Sequence, residues 1–583
     1  MSKNRIACAL LSAMLMTTTA SAAAEWQMKE APMMTPWASQ IDTSCPLPEY
    51  PRPQLVRNDG WLNLNGIWEL RKGVPEEAYN ASFDYDKSIL VPYPIESALS
   101  GVMEKGDDQC YWYRRTFTVP ENMQGKRLLL HFGAVDWEAK AYVNGKEVGR
   151  HTGGYDPFTF DITDAVKQGS GEQELVVYID DNTGAQGQMT GKQSKNPSIC
   201  WYTCSSGIWQ TVWLEAVPET YVKAIEMEPT LNQNWLNLAV TSSAGTTGGT
   251  VDVSVKDRDG KEVATLTDGD ISKTLRITIP NAHVWSPDDP YLYDVDITLK
   301  KDGKEADKIS TYFGMRKIEV KKVDGFPRIF LNGEQIFQLG PLDQGFWPDG
   351  LHTPPSEEAM LFDIKTMKDL GFNMVRKHIK VEPDRWYYLC DREGLLVWQD
   401  LPSGNVVKGY EDIAKANFKD EAVRIIKAIK NHPSIVHWVV FNEGWGQFDT
   451  PEVTALVQSN VNRLSPSRYG KASLICNASG WTDHELGDII DTHSYPHPSC
   501  PTHASRASVC GEYGGITLKE PGHIWPGGDF QYTVVETKSD FTDYFNMLCD
   551  ELKDLYYMGL NAGVHTQIAD VEIEKNGFLT YDR

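Results

Sequence analysis

Positive charge is what this chain is short of: 56 Lys and Arg face 80 Asp and Glu, a net charge of −24 over 583 residues. A surface of that sign repels phosphate backbones and anionic headgroups, so nucleic acid and membrane surfaces are set aside as partners. Long apolar runs are missing as well, except at the start. There Lys3 and Arg5 precede an apolar stretch from Ile6 to Met16, followed by Ala20-Ser21-Ala22. That layout predicts a secretory signal peptide over residues 1–22, cleaved near Ala22; a membrane anchor needs a longer span. The mature chain is expected to be exported, periplasmic or secreted. Cysteine is sparse, with nine left after cleavage and no CxxC pair for zinc or redox chemistry. The odd count leaves at least one thiol free, and the expectation is mostly small buried hydrophobes. G-x-S-x-G, P-loop and HExxH patterns are absent too, which removes three common chemistries. No cofactor is expected, and no ligand set for Mg or Ca is readable.

What the chain has in plenty is tryptophan, 18 of them, which suits thick β-sandwich cores or sugar-stacking surfaces. The length predicts about three domains. From Trp61 to Val217 short alternating strands are broken by Gly, Pro and Asp, with Asn144-Gly145 as a hairpin signal. This predicts a jelly-roll β-sandwich over 25–217. A second β-rich stretch, 218–320, has the length and spacing of an immunoglobulin-like β-sandwich.

After Gly325 the rhythm changes to strand-like runs alternating with helical patterns. Ser356 is placed to cap a helix with Glu357 and Glu358 in its first turn and Met360, Ile364, Met367 and Leu370 on one face. Further helices are predicted at "PDRWYYLCDREG", near Glu411–His432, near Pro451–Leu464 and near Phe541–Met558. With eight strand candidates, residues 321–583 read as a (β/α)8 TIM barrel. Between the fifth and sixth strands no helix is visible.

Working residues of such barrels sit at the C-terminal strand ends. Glu443 ends the fourth strand in "HWVVFNEGWG", and Glu512 ends the seventh in "SVCGEYGG". Paired carboxylates in a pocket are what glycoside hydrolysis needs, one to protonate the leaving oxygen and one to attack or activate water. Alternation along a strand turns Asn442 and Glu443 to opposite sides, so both reach one site only if the strand loses regular geometry there. Gly444 and Gly446 favour that.

Several stretches in order carry a resemblance. "NHPSIVHWVVFNEGWG" resembles the acid/base signature of glycoside hydrolase family 2, the β-galactosidases, β-glucuronidases and β-mannosidases, and "SVCGEYGG" resembles its nucleophile strand. "VDWEAKAYVNGKEVGRHTGGYDPFTFDIT" and "SSGIWQTVWLE" are similar to its sugar-binding domain, and "FGMRKIEV" and "FLNGEQIF" to its passage into the barrel. The resemblance implies a retaining double displacement with Glu512 as nucleophile and Glu443 as acid/base. It implies that Asn442 bonds the sugar 2-hydroxyl, that Tyr495 orients Glu512, and that Arg376 and His378 line the pocket. Asp400 is a candidate for a sugar hydroxyl or a structural ion pair, and Trp445 and Trp481 for sugar stacking or plain packing.

The chain also departs from that pattern. Where many galactosidases and glucuronidases carry a histidine and an acid after the first strand, it reads "GPLDQGFWPDG", with Asp343 as a stand-in. The Asn-x-Lys triplet with which glucuronidases hold a uronate is absent from "DVEIEKNGFLTYDR", which disfavours a uronic acid. The expected activity is an exo-glycosidase on an oligosaccharide or glycan, β-galactosidase first, with α-L-arabinopyranosidase as the rival and β-mannosidase and β-glucuronidase behind. A non-catalytic carbohydrate-binding protein is the alternative of another class, and a homo-oligomer stays open.

Overall fold

The computed structural model describes residues 24–105, 109–167, 169, 171–185, 187–404, 411–464 and 470–583. The expected signal peptide lies outside these residues. Among them no helix is long and apolar enough to cross a membrane.

The first unit is a β-sandwich. A six-stranded sheet pairs Lys87–Val91, Gly66–Lys72, Gln109–Thr118, Glu172–Asp181, Glu138–Val143 and Lys146–Thr152, in that spatial order. It faces a four-stranded sheet of Trp61–Asn63, Val212–Val217, Arg127–Phe132 and Phe158–Asp161. Alternating side chains such as Leu70, Tyr113, Leu130, Val177 and Leu214 fill the space between them. The Asn144-Gly145 turn forms as its residue types require, with φ 50° and 80° at the two positions. The second unit packs a three-stranded sheet (Val222–Thr230, Trp235–Ser242, Leu275–Thr278) on a four-stranded one (Glu262–Asp270, Gly249–Lys256, Tyr293–Lys301, Lys304–Phe313), the layout of an immunoglobulin-like sandwich.

The third unit is the barrel. Its strands are β1 (Gln338–Asp343), β2 (Met374–Lys377), β3 (Leu396–Asp400), β4 (Ile435–Val439), β5 (Leu474–Cys476), β6 (Ile489–His493), β7 (Ala507–Gly514) and β8 (Leu560–Thr566). They form one parallel sheet in the order β5-β4-β3-β2-β1-β8-β7-β6. Helices α1 (Glu357–Asp369), α2 (Asp384–Glu393), α3 (Glu411–Ile429), α4 (Thr450–Val461) and α5 (Lys538–Tyr557) cover the outside. Ser356 caps α1 through Ala359 N at 3.1 Å, and Thr537 with Asp540 forms a capping box on α5. As the sequence suggests, no helix joins β5 to β6, and none joins β6 to β7. The β5–β6 seam carries no ladder. Asp488 stitches it, its N–H donating to Ile475 O at 2.8 Å and its carboxylate accepting from Ile475 N at 3.0 Å. The chain passes so close there that a Cβ on Gly487 would lie 2.3 Å from Ile475 O.

The nine cysteines among the described residues are all unbridged, and Cys110, Cys204, Cys390, Cys476 and Cys510 are buried.

Candidate active site

β4 does not stop where its regular pairing ends. Val440 N donates to Cys476 O at 3.0 Å, Ser479 N to Phe441 O at 2.9 Å and Glu443 N to Ser479 O at 2.9 Å. This extension delivers Asn442 and Glu443 to the mouth of the barrel. Glu443 then takes φ 54°, followed by Gly444 at 75° and Gly446 at 63°. A left-handed glutamate costs of order 1–3 kcal/mol and persists only when its surroundings hold it. The twist breaks the alternation, so Asn442 and Glu443 both join one cluster.

At the centre lie the two glutamates. One carboxylate oxygen of Glu443, one of Glu512 and a ring nitrogen of His493 lie within 4.8 Å of one another. Glu512 Oε2 accepts from Tyr495 O–H at 2.7 Å, and its Oε1 accepts from Arg376 Nη1 at 3.3 Å. Tyr495 is held in turn by Thr566 Oγ1 at 2.6 Å and by stacking on Tyr532, ring centroids 3.9 Å apart. Arg376 is fully buried. It contacts Asp400 Oδ2 through Nη2 at 2.9 Å and Asn442 Oδ1 at 2.8 Å. Asn442 Nδ2 is buried and has no partner. A buried orphan amide donor is a costly feature unless a ligand uses it.

His493 bridges the pair. Its Nδ1 stands 2.6 Å from Glu443 Oε1 and 3.4 Å from Glu512 Oε2. Burial pulls the imidazolium down, but Glu512, Glu443 and Asp491 outweigh it, and the group titrates above the usual histidine range. Burial pushes the Glu443 carboxyl up, but the bond and charge of His493, with Lys192 and Trp445 Nε1, hold it down to about 2. His378, on Asp400 Oδ2 at 2.9 Å, is buried beside Lys192 and Arg376 and stays neutral, well below its usual value.

The remaining sequence candidates scatter. Asp400 is fully engaged by Arg376 and His378, the ion-pair arrangement rather than a free sugar contact. Asp343 stands apart from the cluster: it is buried on Lys377, its register partner on β2, which also pairs with Glu382. Strand alternation explains this, since Arg376 points into the barrel and Lys377 therefore points out. Trp445 and Trp481 are 46% and 51% exposed, and both touch the acid's surroundings. Trp445 Nε1 lies 3.2 Å from Glu443 Oε2, and the Trp481 ring meets His493 edge-on at 5.8 Å.

Four residues at the mouth were not singled out from sequence: His493, Ser479, Lys192 and Glu574. His493 had a signal, because it lies two residues before Tyr495 on one strand end and so shares its face. Lys192 and Glu574 had none, since an arm of the sandwich brings them together. Tyr202 on that arm donates to Glu574, which also accepts from Asn576 Nδ2 at 3.2 Å, and Thr203 N donates to Glu572 at 2.9 Å. Lys192 lies 5.5 Å over the Trp201 ring, which meets Trp445 at 6.2 Å. Burial pushes the Lys192 ammonium down, but Cys200, Glu512, Glu574 and Glu443 raise it above the usual lysine range.

Tyr495→Phe is expected to slow turnover about 10–100-fold, because the lost hydrogen bond goes to a charged acceptor. Steady-state kinetics checks this, and an unchanged kcat would remove Tyr495 from the site.

A parallel barrel behind two β-sandwiches, with glutamates closing on each other from β4 and β7, is the architecture of a multidomain glycoside hydrolase family. Three regions match one family in order: residues 15–218 its sugar-binding domain, 220–316 the domain that shares the family's name, and 355–522 its TIM barrel domain. The chain belongs to glycoside hydrolase family 2. It is 28% identical over 431 residues to a β-galactosidase of Thermoanaerobacter pseudethanolicus, covering 70% of this chain and 55% of that one. It is 29% identical over 432 residues to a β-glucuronidase of Bacteroides fragilis, covering 66% of this chain and 60% of the relative. The chain thus spans little more than half the length of these curated relatives. A solved β-glucuronidase of Ruminococcus gnavus, in complex with D-glucuronic acid, shares the fold with a TM-score of 0.73 at 19% identity, over 92% of this chain and 97% of that one.

Proposed function

We propose that this hydrolase is an exo-acting, retaining glycosidase that removes terminal neutral sugars, β-galactosides first, by double displacement. The observation that carries the reading is the approach of the Glu443 and Glu512 oxygens to within 4.8 Å, which suits the retaining carboxyl separation of about 5–5.5 Å and leaves no room for a water between sugar and base. Glu512, steadied by Tyr495 and Arg376, attacks the anomeric carbon. Glu443, on the far side of the scissile bond, gives the leaving oxygen a proton and then takes one from water. The unpartnered Nδ2 of Asn442 is free to donate to a sugar hydroxyl.

One observation supports a neutral terminal sugar. The stretch after β8, "DVEIEKNGFLTYDR", lacks the Asn-x-Lys triplet with which glucuronidases of the family hold a uronate. Proton NMR of the first-formed product is expected to show the retained anomer, and an inverted product would overturn the mechanism. The same reading includes export: N-terminal sequencing of protein secreted by a host is expected to begin just after Ala22, and an intact Met1 on the exported protein would refute it.

A further inference from the structure

We propose that His493 stores the catalytic proton between turnovers and passes it to and from Glu443; this rests on the acid/base reading of Glu443 above. The hydrogen-bond directions carry it. Ser479 has a single hydroxyl hydrogen, and its Oγ lies 2.5 Å from Asp491 Oδ2, an acceptor only. With Asp491 ionised the hydrogen points at it, and Ser479 Oγ accepts at 2.8 Å from His493 Nε2. Nε2 thus carries a proton. At the other end of the ring Nδ1 shares a proton with Glu443 Oε1 across 2.6 Å, with Glu512 Oε2 at 3.4 Å, and the carboxylates around the ring hold that proton on Nδ1 at rest.

The resting ring is an imidazolium and Glu443 is ionised, the form of a base and not of an acid. The acidic groups packed on the ring agree. The loop after β4 offers Glu443, β7 offers Glu512, and Asp491 of β6 acts through Ser479. Arg376 of β2 opposes them, its Nη1 standing 3.3 Å from Nε2, but Nη1 also donates to Gly511 O at 3.0 Å and to Glu512 Oε1 at 3.3 Å, and Lys192 of the sandwich arm faces Glu443 and Glu512. Gly480 packs close against the ring, since a Cβ there would lie 2.9 Å from it.

The proton count closes over one turnover. In glycosylation the Nδ1 proton moves to Glu443, Glu443 protonates the departing oxygen as its bond to the anomeric carbon breaks, and the Glu512–carbon bond forms. In deglycosylation Glu443 takes a proton from the attacking water and returns it to Nδ1 as the Glu512–carbon bond breaks. His493 is neutral only while the glycosyl-enzyme exists. It touches Glu443 rather than the substrate, so it acts as a positioning and proton-holding residue.

The test compares wild type with His493→Gln, which keeps a hydrogen-bond donor but holds no titrating proton, and with His493→Ala. Substrates are a dinitrophenyl glycoside, which leaves without a proton, and the disaccharide of the same terminal sugar. On the disaccharide His493→Gln is expected to lose about 10²–10³-fold in kcat/KM at neutral pH. Its alkaline limb should move down by about two pH units, from a histidine-like to a glutamate-like value. Glycosylation by the dinitrophenyl glycoside should hold within about threefold, with Glu512 still labelled by a 2-fluoro glycoside to confirm the fold. Equal losses on both substrates with an unmoved alkaline limb, in both variants, would overturn the proposal and leave His493 a structural residue. If wild type itself gave the inverted anomer, the reading of Glu443 would fall instead.

Discussion

Glu512→Ala is expected to abolish turnover, by about 10⁵–10⁶-fold, on a natural disaccharide and a dinitrophenyl glycoside alike. No leaving group rescues the loss of the atom that forms the covalent bond. The site around it would survive: Tyr495 keeps Thr566, and Arg376 keeps Asp400, Asn442 and Gly511 O. The variant should therefore fold with an unchanged Tm and still bind sugar. Added azide fits the space vacated by the carboxylate and should yield a glycosyl azide of inverted configuration. Residual activity above about 1% of wild type with the activated substrate would remove Glu512 from the nucleophile role.

Glu443→Ala should behave in the opposite way, and the contrast is the strongest check on the two roles. Proton donation is worth about 10²–10⁴-fold when the departing oxygen is a sugar alkoxide and little when it is a nitrophenolate. The variant should be severely slowed on a disaccharide while glycosylation by an aryl glycoside proceeds and the intermediate accumulates. Azide, which attacks without base help, should then restore turnover and give a glycosyl azide of retained configuration. A burst of aryl release followed by a slow phase is the signature to look for. The same azide stereochemistry in both variants would show the assignment reversed.

Much of this site was readable because its residues sit on strand ends flanked by strong local patterns. Glu443 and Glu512 follow apolar runs, and an acid ending a buried strand must be paired or used. The irregular geometry at Asn442 and Glu443 was legible from the same logic, since alternation forbade both from reaching one pocket. Asp343 misled because its strand-end position looked the same, while its direction is set by register with Lys377, which no single stretch records. Lys192 and Glu574 lie hundreds of residues apart and meet only because a sandwich arm folds over the barrel. Local periodicity is silent about such inter-domain contacts. His493 was within reach: a two-residue step back from Tyr495 would have found it. The helices followed their caps and periodic faces, while the helix-free β5–β6 connection was visible from sequence as a gap and its seam was not.

That seam has a bearing on how the molecule breathes. Seven of the eight strand-to-strand junctions close with ladders, whereas β5 and β6 are joined by isolated bonds, those of Asp488 to Ile475 and of Ser479 to Asp491 and His493. In amide exchange the segment from Cys476 to Asp488 should therefore open ahead of the rest of the barrel. The same segment holds Ser479, which anchors both the Glu443 backbone and the His493 ring. The weakest staple of the barrel thus lies beside its most sensitive pair of atoms, and heat should silence the enzyme before it unfolds it.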